Sequence, residues 1–375
     1  MIVETKTKHF NVPLALECGR ELSEFAIAYE SYGELAPARD NVILVCHGLT
    51  ADAHAAGTRT ADDRRPGWWD AVIGPGKMLD TNHYCIVSSS VLGGCGGSTG
   101  PASIDPATGT PYAMRFPVVT VADMVRAQRL LLDRLGIRRL RAAIGGCLGG
   151  FQVLEWSRLF PHDIDRAIVI SATHDTSAHT LALWHTLRSA IMADASWNGG
   201  NYYGGPSPLR GVGLSMQIAM LIWMDRAEFG RRFGRTLERD YSYGFGADFA
   251  AERFLDEIDA SASARFDPNA LLYLTRAMDY FDLTRGHASL AEALAPARAS
   301  FLFVSYKADW RYPPQEMDLM CEALRINGVS AKHVVLDSRF GHGAFVYDPG
   351  SLVPHVRSFV GQPLVGRSLV EALLA

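Results

Sequence analysis

Long apolar runs are absent from this chain, and none approaches the roughly 20 residues that a membrane-spanning helix needs. The first eight residues, Met-Ile-Val-Glu-Thr-Lys-Thr-Lys, are polar and lack the apolar core of a signal peptide. Neither sign of charge is in excess, since 36 Lys and Arg stand against 40 Asp and Glu, with a pI of about 6.3. These absences argue against a membrane or nucleic acid as partner, and we expect a cytoplasmic protein.

Cysteine is scarce, and its spacing shows no CxxC pair. This pattern argues against a structural zinc site and a disulfide framework, and it favours free thiols in a reducing compartment. We therefore expect no metal and no permanently bound cofactor. The hydrophobic fraction of 48% is ordinary for a globular protein, and 375 residues allow two domains or one domain with a large insertion. The cysteines are Cys18, Cys46, Cys85, Cys95, Cys147 and Cys321.

The most informative segment surrounds Cys147, in the sequence Gly145-Gly-Cys-Leu-Gly149. An apolar run precedes it and a helix-like run follows, which predicts a strand, a tight turn and a helix with the thiol projecting from the turn. Glycine on both sides suits such a turn, because a Cβ there would collide across it. The following helix would direct its positive end at the thiol, favouring a thiolate and later an oxyanion. Taken alone, the segment is also compatible with an inert, buried cysteine.

Two further motifs contain glycine next to a predicted strand. The apolar run over residues 41–46 ends in His47-Gly48-Leu49, so the backbone N–H of Leu49 could join that of Leu148 in an oxyanion hole. A plain turn is the alternative. The second motif, over residues 91–101, lacks the Lys-Ser/Thr ending of a phosphate-binding P-loop, so we favour close backbone packing over nucleotide binding.

An acid and a base follow later strands. Asp309 follows the strand predicted over residues 301–305, and His342 follows the strand predicted over residues 332–336. The order Cys147, Asp309, His342 is the nucleophile–acid–base order of α/β hydrolases. In that arrangement His342 takes the thiol proton, while Asp309 fixes the tautomer of the imidazole and stabilises its charged form.

The distribution of predicted elements indicates an α/β-hydrolase fold, with a mostly parallel central sheet. Strand and helix alternate over residues 1–175 and 291–375, which we assign to two parts of one core. Residues 176–290 interrupt this pattern with helix-like segments, including an apolar helix over 214–224 and a charged helix over 228–239. Such an insertion is typical of a helical lid over a hydrolase site.

The chain resembles the homoserine O-acetyltransferases along nearly its whole length. The resemblance implies an α/β-hydrolase core with a helical lid, homodimers packed through the lids, and ping-pong transfer of an acyl group from acyl-CoA through the nucleophile to an amino-acid hydroxyl. The matching segments are residues 47–57, 92–101 and 116–128, together with Arg265-Phe-Asp-Pro-Asn269 and Asp309-Trp310.

The chain departs from this family at the positions closest to the chemistry. Cys147 stands where the family has serine, and Gly48 where it usually has alanine. Met216 occupies the place of a lid arginine suited to the acceptor carboxylate, and Trp223 lies near a family tyrosine. Gly343 replaces an aspartate that would face the acceptor ammonium group. We therefore assign Gly48, Met216, Trp223 and Gly343 to the substrate pocket.

The loss of both charged partners predicts an altered acceptor, because burying an unpaired zwitterion is unfavourable. Arg226, further along the lid, is either an alternative carboxylate partner or a solvated surface charge. We predict transfer of an acyl or aminoacyl group from acyl-CoA or a pantetheinyl carrier-protein thioester, through acyl-Cys147, to an acceptor other than free homoserine. The alternatives are homoserine or serine O-acetylation by acetyl-CoA, thioester hydrolysis, and a binding protein without activity. The presence of Asp309 and His342 argues against the last of these.

Overall fold

The computed structural model describes residues 1–262 and 266–361, so Arg265 of the matching motif and residues 362–375 of the predicted core lie outside it. No helix in the described ranges is long and apolar enough to cross a membrane. The strands are β1 (Lys6–Phe10), β2 (Leu14–Ala15), β3 (Glu21–Leu22), β4 (Phe25–Tyr32), β5 (Val42–Cys46), β6 (Ile73–Gly74), β7 (Leu79–Asp80), β8 (Cys85–Ser89), β9 (Ile104–Asp105), β10 (Thr110–Pro111), β11 (Ala142–Gly146), β12 (Arg166–Ile170), β13 (Ser300–Tyr306) and β14 (Ala331–Leu336). The α-helices are α1 (Val121–Arg134), α2 (Leu148–Leu159), α3 (Ala178–Met192), α4 (Leu209–Trp223), α5 (Arg226–Arg232), α6 (Ala250–Ala262), α7 (Pro268–Asp279), α8 (Leu290–Ala293), α9 (Pro314–Ile326), α10 (Ala344–Tyr347) and α11 (Val353–Gly361).

The longer strands form one sheet. Within the described residues its order is β1-β4-β8-β5-β11-β12-β13-β14. Pairing is parallel from β8 to β14 and antiparallel only where β1 and β4 join the edge. Every residue of β5, β8, β11 and β12 is buried, as expected for parallel strands covered by helices on both faces. The predicted α/β-hydrolase fold is confirmed.

Local sequence explains where two of the helices begin or end. Thr120 caps α1 by a reciprocal pair of hydrogen bonds, in which Asp123 N donates to Thr120 Oγ1 (3.2 Å) and Thr120 N donates to Asp123 Oδ2 (3.0 Å). The charged helix predicted over residues 228–239 is too long, because α5 ends at Arg232. Gly234 follows with φ of +53°, and this left-handed conformation stops the helix.

The segment around Asp267, which matches the homoserine O-acetyltransferases, has a structural role at the start of α7. Asp267 Oδ2 accepts hydrogen bonds from Ala270 N (2.9 Å) and from the Tyr203 hydroxyl (3.0 Å). Asn269 Nδ2 donates to the carbonyl of Gly200 (2.9 Å). These contacts attach α7 to the segment between α3 and α4, so the motif stabilises the region between β12 and β13, which contains α3 to α8 instead of alternating strands.

The glycine-rich loop after β8 packs closely along β4. Ser98 Oγ accepts from Ala28 N (3.0 Å), and Thr99 Oγ1 accepts from Ala26 N (2.7 Å). A Cβ on Gly100 would lie only 2.3 Å from the carbonyl oxygen of Gly94. The loop therefore uses its polar groups and its glycines for packing, in line with our interpretation of the sequence.

Candidate active site

Cys147 occupies a strained turn between β11 and α2. Its backbone has φ of 58° and ψ of −124°, a conformation that is unfavourable for a residue with a side chain. The turn is held because Cys147 N donates to the carbonyls of Ile170 (3.1 Å) and Ser171 (3.2 Å) at the end of β12. The thiol is buried, with only 2% of the residue exposed. The structure thus places Cys147 in the strand–turn–helix that its sequence predicts.

The glycines beside Cys147 are required by sterics. A Cβ on Gly145 would lie 2.5 Å from the backbone of Gly149, and a Cβ on Gly149 would lie 2.1 Å from the carbonyl oxygen of Cys46. Both distances are far below normal van der Waals contact. The turn and the end of β5 can therefore approach each other only because these positions lack side chains.

Asp309 and His342 lie beside Cys147 and are fully buried. His342 Nδ1 is 2.9 Å from Asp309 Oδ2, while Asp309 Oδ1 accepts from the backbone N–H groups of Arg311 (3.1 Å) and Tyr312 (3.0 Å). The other ring nitrogen, Nε2, interacts with the Cys147 thiol, although no hydrogen bond of good geometry is formed. Such contacts often tighten only when substrate binds. The structure therefore brings the three predicted residues together.

The charges around Cys147 favour an ion pair. Burial alone would raise the pKa of the thiol, but the positive charges of Arg311 and His342 lower it to about 7. Burial would lower the pKa of His342, but Asp309 and Cys147 raise it to about 9. Between pH 7 and pH 9 the stable form is a Cys147 thiolate beside a His342 imidazolium. The thiolate is the form that attacks a carbonyl, and the imidazolium can protonate a leaving group.

This ion pair predicts unusual alkylation of Cys147. We expect its rate of reaction with iodoacetamide to reach half of its maximum near pH 7, because only the thiolate reacts. The pKa of an unperturbed cysteine thiol is about 8.5. His342→Ala should move the midpoint to higher pH, since the imidazolium charge is lost. Peptide mass spectrometry over a pH series measures this, with the exposed Cys18 as internal reference. A midpoint for Cys147 at or above that of Cys18 would contradict the ion pair.

The two predicted oxyanion-hole residues follow β5 and β11. The backbone N–H of Leu148 interacts with the Cys147 sulfur and contributes to its lowered pKa. Leu49 lies in a loop held by His47, whose Nδ1 bonds the Gly48 carbonyl (2.7 Å) and whose Nε2 accepts from Val91 N (3.0 Å). Burial lowers the pKa of His47, so its ring is neutral with the proton on Nδ1. His47 thereby positions the loop that presents Leu49.

A chain of hydrogen bonds between buried side chains supports the two segments that contain the predicted oxyanion-hole residues. Our sequence analysis missed it. Gln152 Nε2 donates to the carbonyls of His47 (3.1 Å) and Leu148 (3.2 Å). Gln128 Nε2 donates to Gln152 Oε1 (2.7 Å), and Trp156 Nε1 donates to Gln128 Oε1 (2.8 Å). Gln128 ends one of the segments matching the resembled family, which is the only signal that could have identified it.

A cavity of about 30 Å³ lies where the core meets α3, α4 and α7. The predicted pocket residues Met216 and Trp223 line it together with Leu49, and its wall is almost entirely apolar. This volume holds one or two water molecules.

Gly48 and Gly343, which we also assigned to the pocket, are not part of the cavity wall. A Cβ on Gly343 would lie 2.9 Å from the Tyr347 ring and 3.1 Å from that of Trp223. Gly343 therefore leaves room for Trp223, whose ring packs edge-on against His342 at 5.9 Å. A Cβ on Gly48 would be in ordinary contact, 3.9 Å from Cys147 Cβ.

Arg311 is a second residue that sequence reasoning missed. It lines the cavity, is only 5% exposed, and lies over the rings of Trp184 (4.4 Å) and Tyr312 (4.7 Å). Its position two residues after Asp309 was the available signal.

The sheet order and the strained turn at Cys147 define a member of the α/β-hydrolase class. Consistent with this, the family model described as "alpha/beta hydrolase fold" matches residues 41–349. Within that class the chain belongs to the homoserine O-acetyltransferase family, and it is an acyltransferase, as the following relatives show.

The homoserine O-acetyltransferase of Methanosalsum zhilinae is 46% identical over 353 residues, covering 94% of this chain and 71% of that protein. That of Mesorhizobium japonicum is 42% identical over 361 residues, covering 95% and 92%. Among solved structures, homoserine O-acetyltransferase from Bacillus anthracis superposes with a TM-score of 0.91 at 31% identity, over 97% of this chain and 99% of that one. Esterase E22 is also similar, with a TM-score of 0.89 at 29% identity over 96% and 100% of the two chains.

Proposed function

We propose that this protein transfers an acetyl group from acetyl-CoA to the hydroxyl of homoserine, and that Cys147 carries the acetyl group between the two half-reactions. The observation that carries the proposal is the buried arrangement of Cys147, His342 and Asp309 in a chain of this family. Relatives named homoserine O-acetyltransferase, at 40–46% identity, support this acceptor better than our leading expectation of an acceptor other than homoserine. Acetyl-CoA acts as co-substrate, and no permanently bound cofactor is needed.

The first half-reaction acylates Cys147. The thiolate attacks the thioester carbonyl of acetyl-CoA, and the N–H groups of Leu49 and Leu148 stabilise the resulting oxyanion. The bond between the carbonyl carbon and the CoA sulfur then breaks, and the His342 imidazolium protonates the departing CoA thiolate. The products are acetyl-Cys147 and CoA. Because one thioester replaces another, this step is close to thermoneutral.

The second half-reaction forms the ester. Neutral His342 takes the proton of the acceptor hydroxyl while the oxygen attacks acetyl-Cys147. The carbon–sulfur bond breaks, the Cys147 thiolate leaves, and His342 is again an imidazolium stabilised by Asp309. Trp223 lines the apolar cavity and also packs against His342, and such apolar surroundings favour transfer over hydrolysis because they hold little water.

Intact-protein mass spectrometry tests the proposal. Exposure to acetyl-CoA should add the mass of one acetyl group, and homoserine should then remove it with formation of O-acetylhomoserine. An adduct that decays to acetate equally fast with and without homoserine would instead assign a thioesterase. No adduct and no ester product would overturn the proposal.

A second candidate is transfer that involves substrates without a complete free amino-acid head. These are an acceptor that lacks the ammonium group, or an aminoacyl thioester, whose carboxylate is masked, in a shuttle between pantetheinyl carrier proteins. One observation favours it: among the described residues, no aspartate or glutamate lines the cavity to pair with an ammonium group. An acceptor panel of homoserine, serine and 4-hydroxybutyrate decides between the candidates, with aminoacyl-pantetheine as an additional donor. A higher kcat/KM for an acceptor or donor lacking the free amino-acid head would replace homoserine as the substrate.

We also propose that two copies associate through α4. Leu214 and Leu221 lie two turns apart on one face of this helix and are 49% and 53% exposed. Burial of such side chains in a dimer is favourable. We expect wild-type protein to elute at twice 41.0 kDa in light scattering, and Leu214→Glu/Leu221→Glu to elute as a monomer. Leu319→Glu, on α9 and 54% exposed, is the matched control and should remain dimeric. Equal masses for all three proteins would contradict the proposed interface.

A further inference from the structure

Arg311 is a buried cation whose guanidinium has few hydrogen-bond partners among the described residues. Its guanidinium makes one hydrogen bond, from Nη2 to the Tyr312 hydroxyl (2.8 Å), and no carboxylate of the described chain forms an ion pair with it. Nε is buried without any hydrogen-bond partner. The nearby Arg188 shows the usual alternative, since it is neutralised by Asp279 at 2.7 Å. The nearby charges of Cys147 and Asp309 stabilise the guanidinium, but Nε still lacks a hydrogen-bond partner among the described residues, which a substrate group can supply.

The surroundings of Arg311 indicate what that partner is. Its guanidinium lies between the rings of Trp184 and Tyr312 and faces the same cavity as Leu49 and Met216. The other polar residues of the wall are Arg188, which is paired with Asp279, and the hydroxyl residues Thr50, Ser215 and Thr275. The remaining wall is apolar. A planar guanidinium in an apolar site selects a carboxylate, which it binds through two parallel hydrogen bonds.

We propose that Arg311 binds a carboxylate of the substrate and so replaces, from the core side of the cavity, the lid arginine whose place Met216 occupies. This inference rests on the proposed function and extends it. It also revises our expectation that the carboxylate partner has been lost. The carboxylate has two possible sources, which are the α-carboxylate of the acceptor and the terminal carboxylate of a dicarboxylic acyl donor.

Arg311 also acts on Cys147, and an experiment must separate the two effects. Its positive charge helps to lower the pKa of the thiol. Burial would lower the pKa of Arg311 itself, but Tyr312, Cys147 and Asp309 hold it above its ordinary value. Loss of the guanidinium will therefore slow acylation of Cys147 with every donor, whereas loss of carboxylate binding will affect only substrates that contain a carboxylate.

The test compares substrates with and without the carboxylate. Steady-state kinetics with homoserine and homoserine amide give the acceptor preference, and single-turnover acylation by succinyl-CoA and acetyl-CoA gives the donor preference. We expect wild type to prefer one carboxylate substrate by about ten- to hundredfold, the range typical of a charged hydrogen bond. Arg311→Met should abolish that preference, and Arg311→Lys should keep part of it. Arg325→Met removes an exposed arginine on α9 and should leave both preferences unchanged.

Protection of Cys147 gives a readout that does not require turnover. Homoserine or succinate should slow alkylation of Cys147 by iodoacetamide more than the corresponding amide does, and Arg311→Met should remove the difference. If Arg311→Met loses the preference for homoserine over homoserine amide, the carboxylate belongs to the acceptor. If it loses the preference for succinyl-CoA over acetyl-CoA, the carboxylate belongs to the acyl donor. An unchanged preference and unchanged protection in a folded Arg311→Met protein would overturn the inference, even if acylation is slower. If no acetyl transfer occurs but a carboxylate still protects Cys147 better than its amide does, the proposed reaction is rejected while carboxylate binding by Arg311 is supported.

Discussion

Replacement of Cys147 by alanine will abolish the acetyl adduct and reduce kcat by at least about 10⁴-fold, the scale typical for loss of a covalent nucleophile. The reason is that a methyl group cannot attack the thioester, while the turn and the cavity remain intact. Intact-protein mass spectrometry and a CoA-release assay measure the two effects. Cys18→Ala, which removes an exposed thiol, is the matched control and should behave as wild type.

The chemistry of the adduct provides a stricter test of the same residue. Acetyl-Cys147 is a thioester, so neutral hydroxylamine will discharge it. In Cys147→Ser any adduct is an oxyester, which resists this treatment. An acetyl group that persists in Cys147→Ala, or a wild-type adduct that is stable to hydroxylamine, would contradict the assignment of Cys147 as the acyl carrier.

Asp309→Asn will lower kcat by about 10³- to 10⁴-fold, as the equivalent change does in serine–histidine–aspartate triads. The carboxylate accepts from His342 Nδ1 at 2.9 Å and, together with Cys147, raises the pKa of the imidazole to about 9. A neutral amide cannot stabilise the imidazolium, so the ion pair with the thiolate is lost. The midpoint for alkylation of Cys147 should therefore rise above pH 7 in the same variant.

Asp337→Asn is the control for this change. Asp337 is also an aspartate after a strand, but its side chain is 80% exposed and pairs with Lys307 at the surface. Exposed pairs of this kind contribute little, so activity should be unchanged. If Asp309→Asn retains kcat within a few fold and leaves the alkylation midpoint near pH 7, Asp309 does not orient or charge His342.

Two segments that match the homoserine O-acetyltransferases, at residues 92–101 and around residue 267, show that a correct sequence match does not by itself reveal what the segment does. Both identify the family, yet the structure uses their polar groups for packing along β4 and at the start of α7. A Gly-rich loop and an Asp-Pro turn have the same local appearance whether they bind a ligand or support a strand. Only the partners of Ser98, Thr99 and Asp267 distinguish the two cases.

The sequence alone determined the fold class and the order of Cys147, Asp309 and His342. These predictions were possible because strand periodicity and the steric need for glycine at positions 145 and 149 depend on residues that are close together in the chain. The ends of parallel strands meet at one edge of the sheet, so residues after β11, β13 and β14 converge once the strands are recognised.

Only the tertiary structure decided the charge of Cys147 and the polarity of the cavity. Burial and the fields of Arg311 and His342 oppose each other at the sulfur, and their sum depends on distances between segments that are far apart in the chain. The buried Gln128–Gln152 contact and the Arg311 Nε without a hydrogen-bond partner also depend on such distances. Whether a polar group finds a partner is a property of packing, which no local pattern of residues encodes.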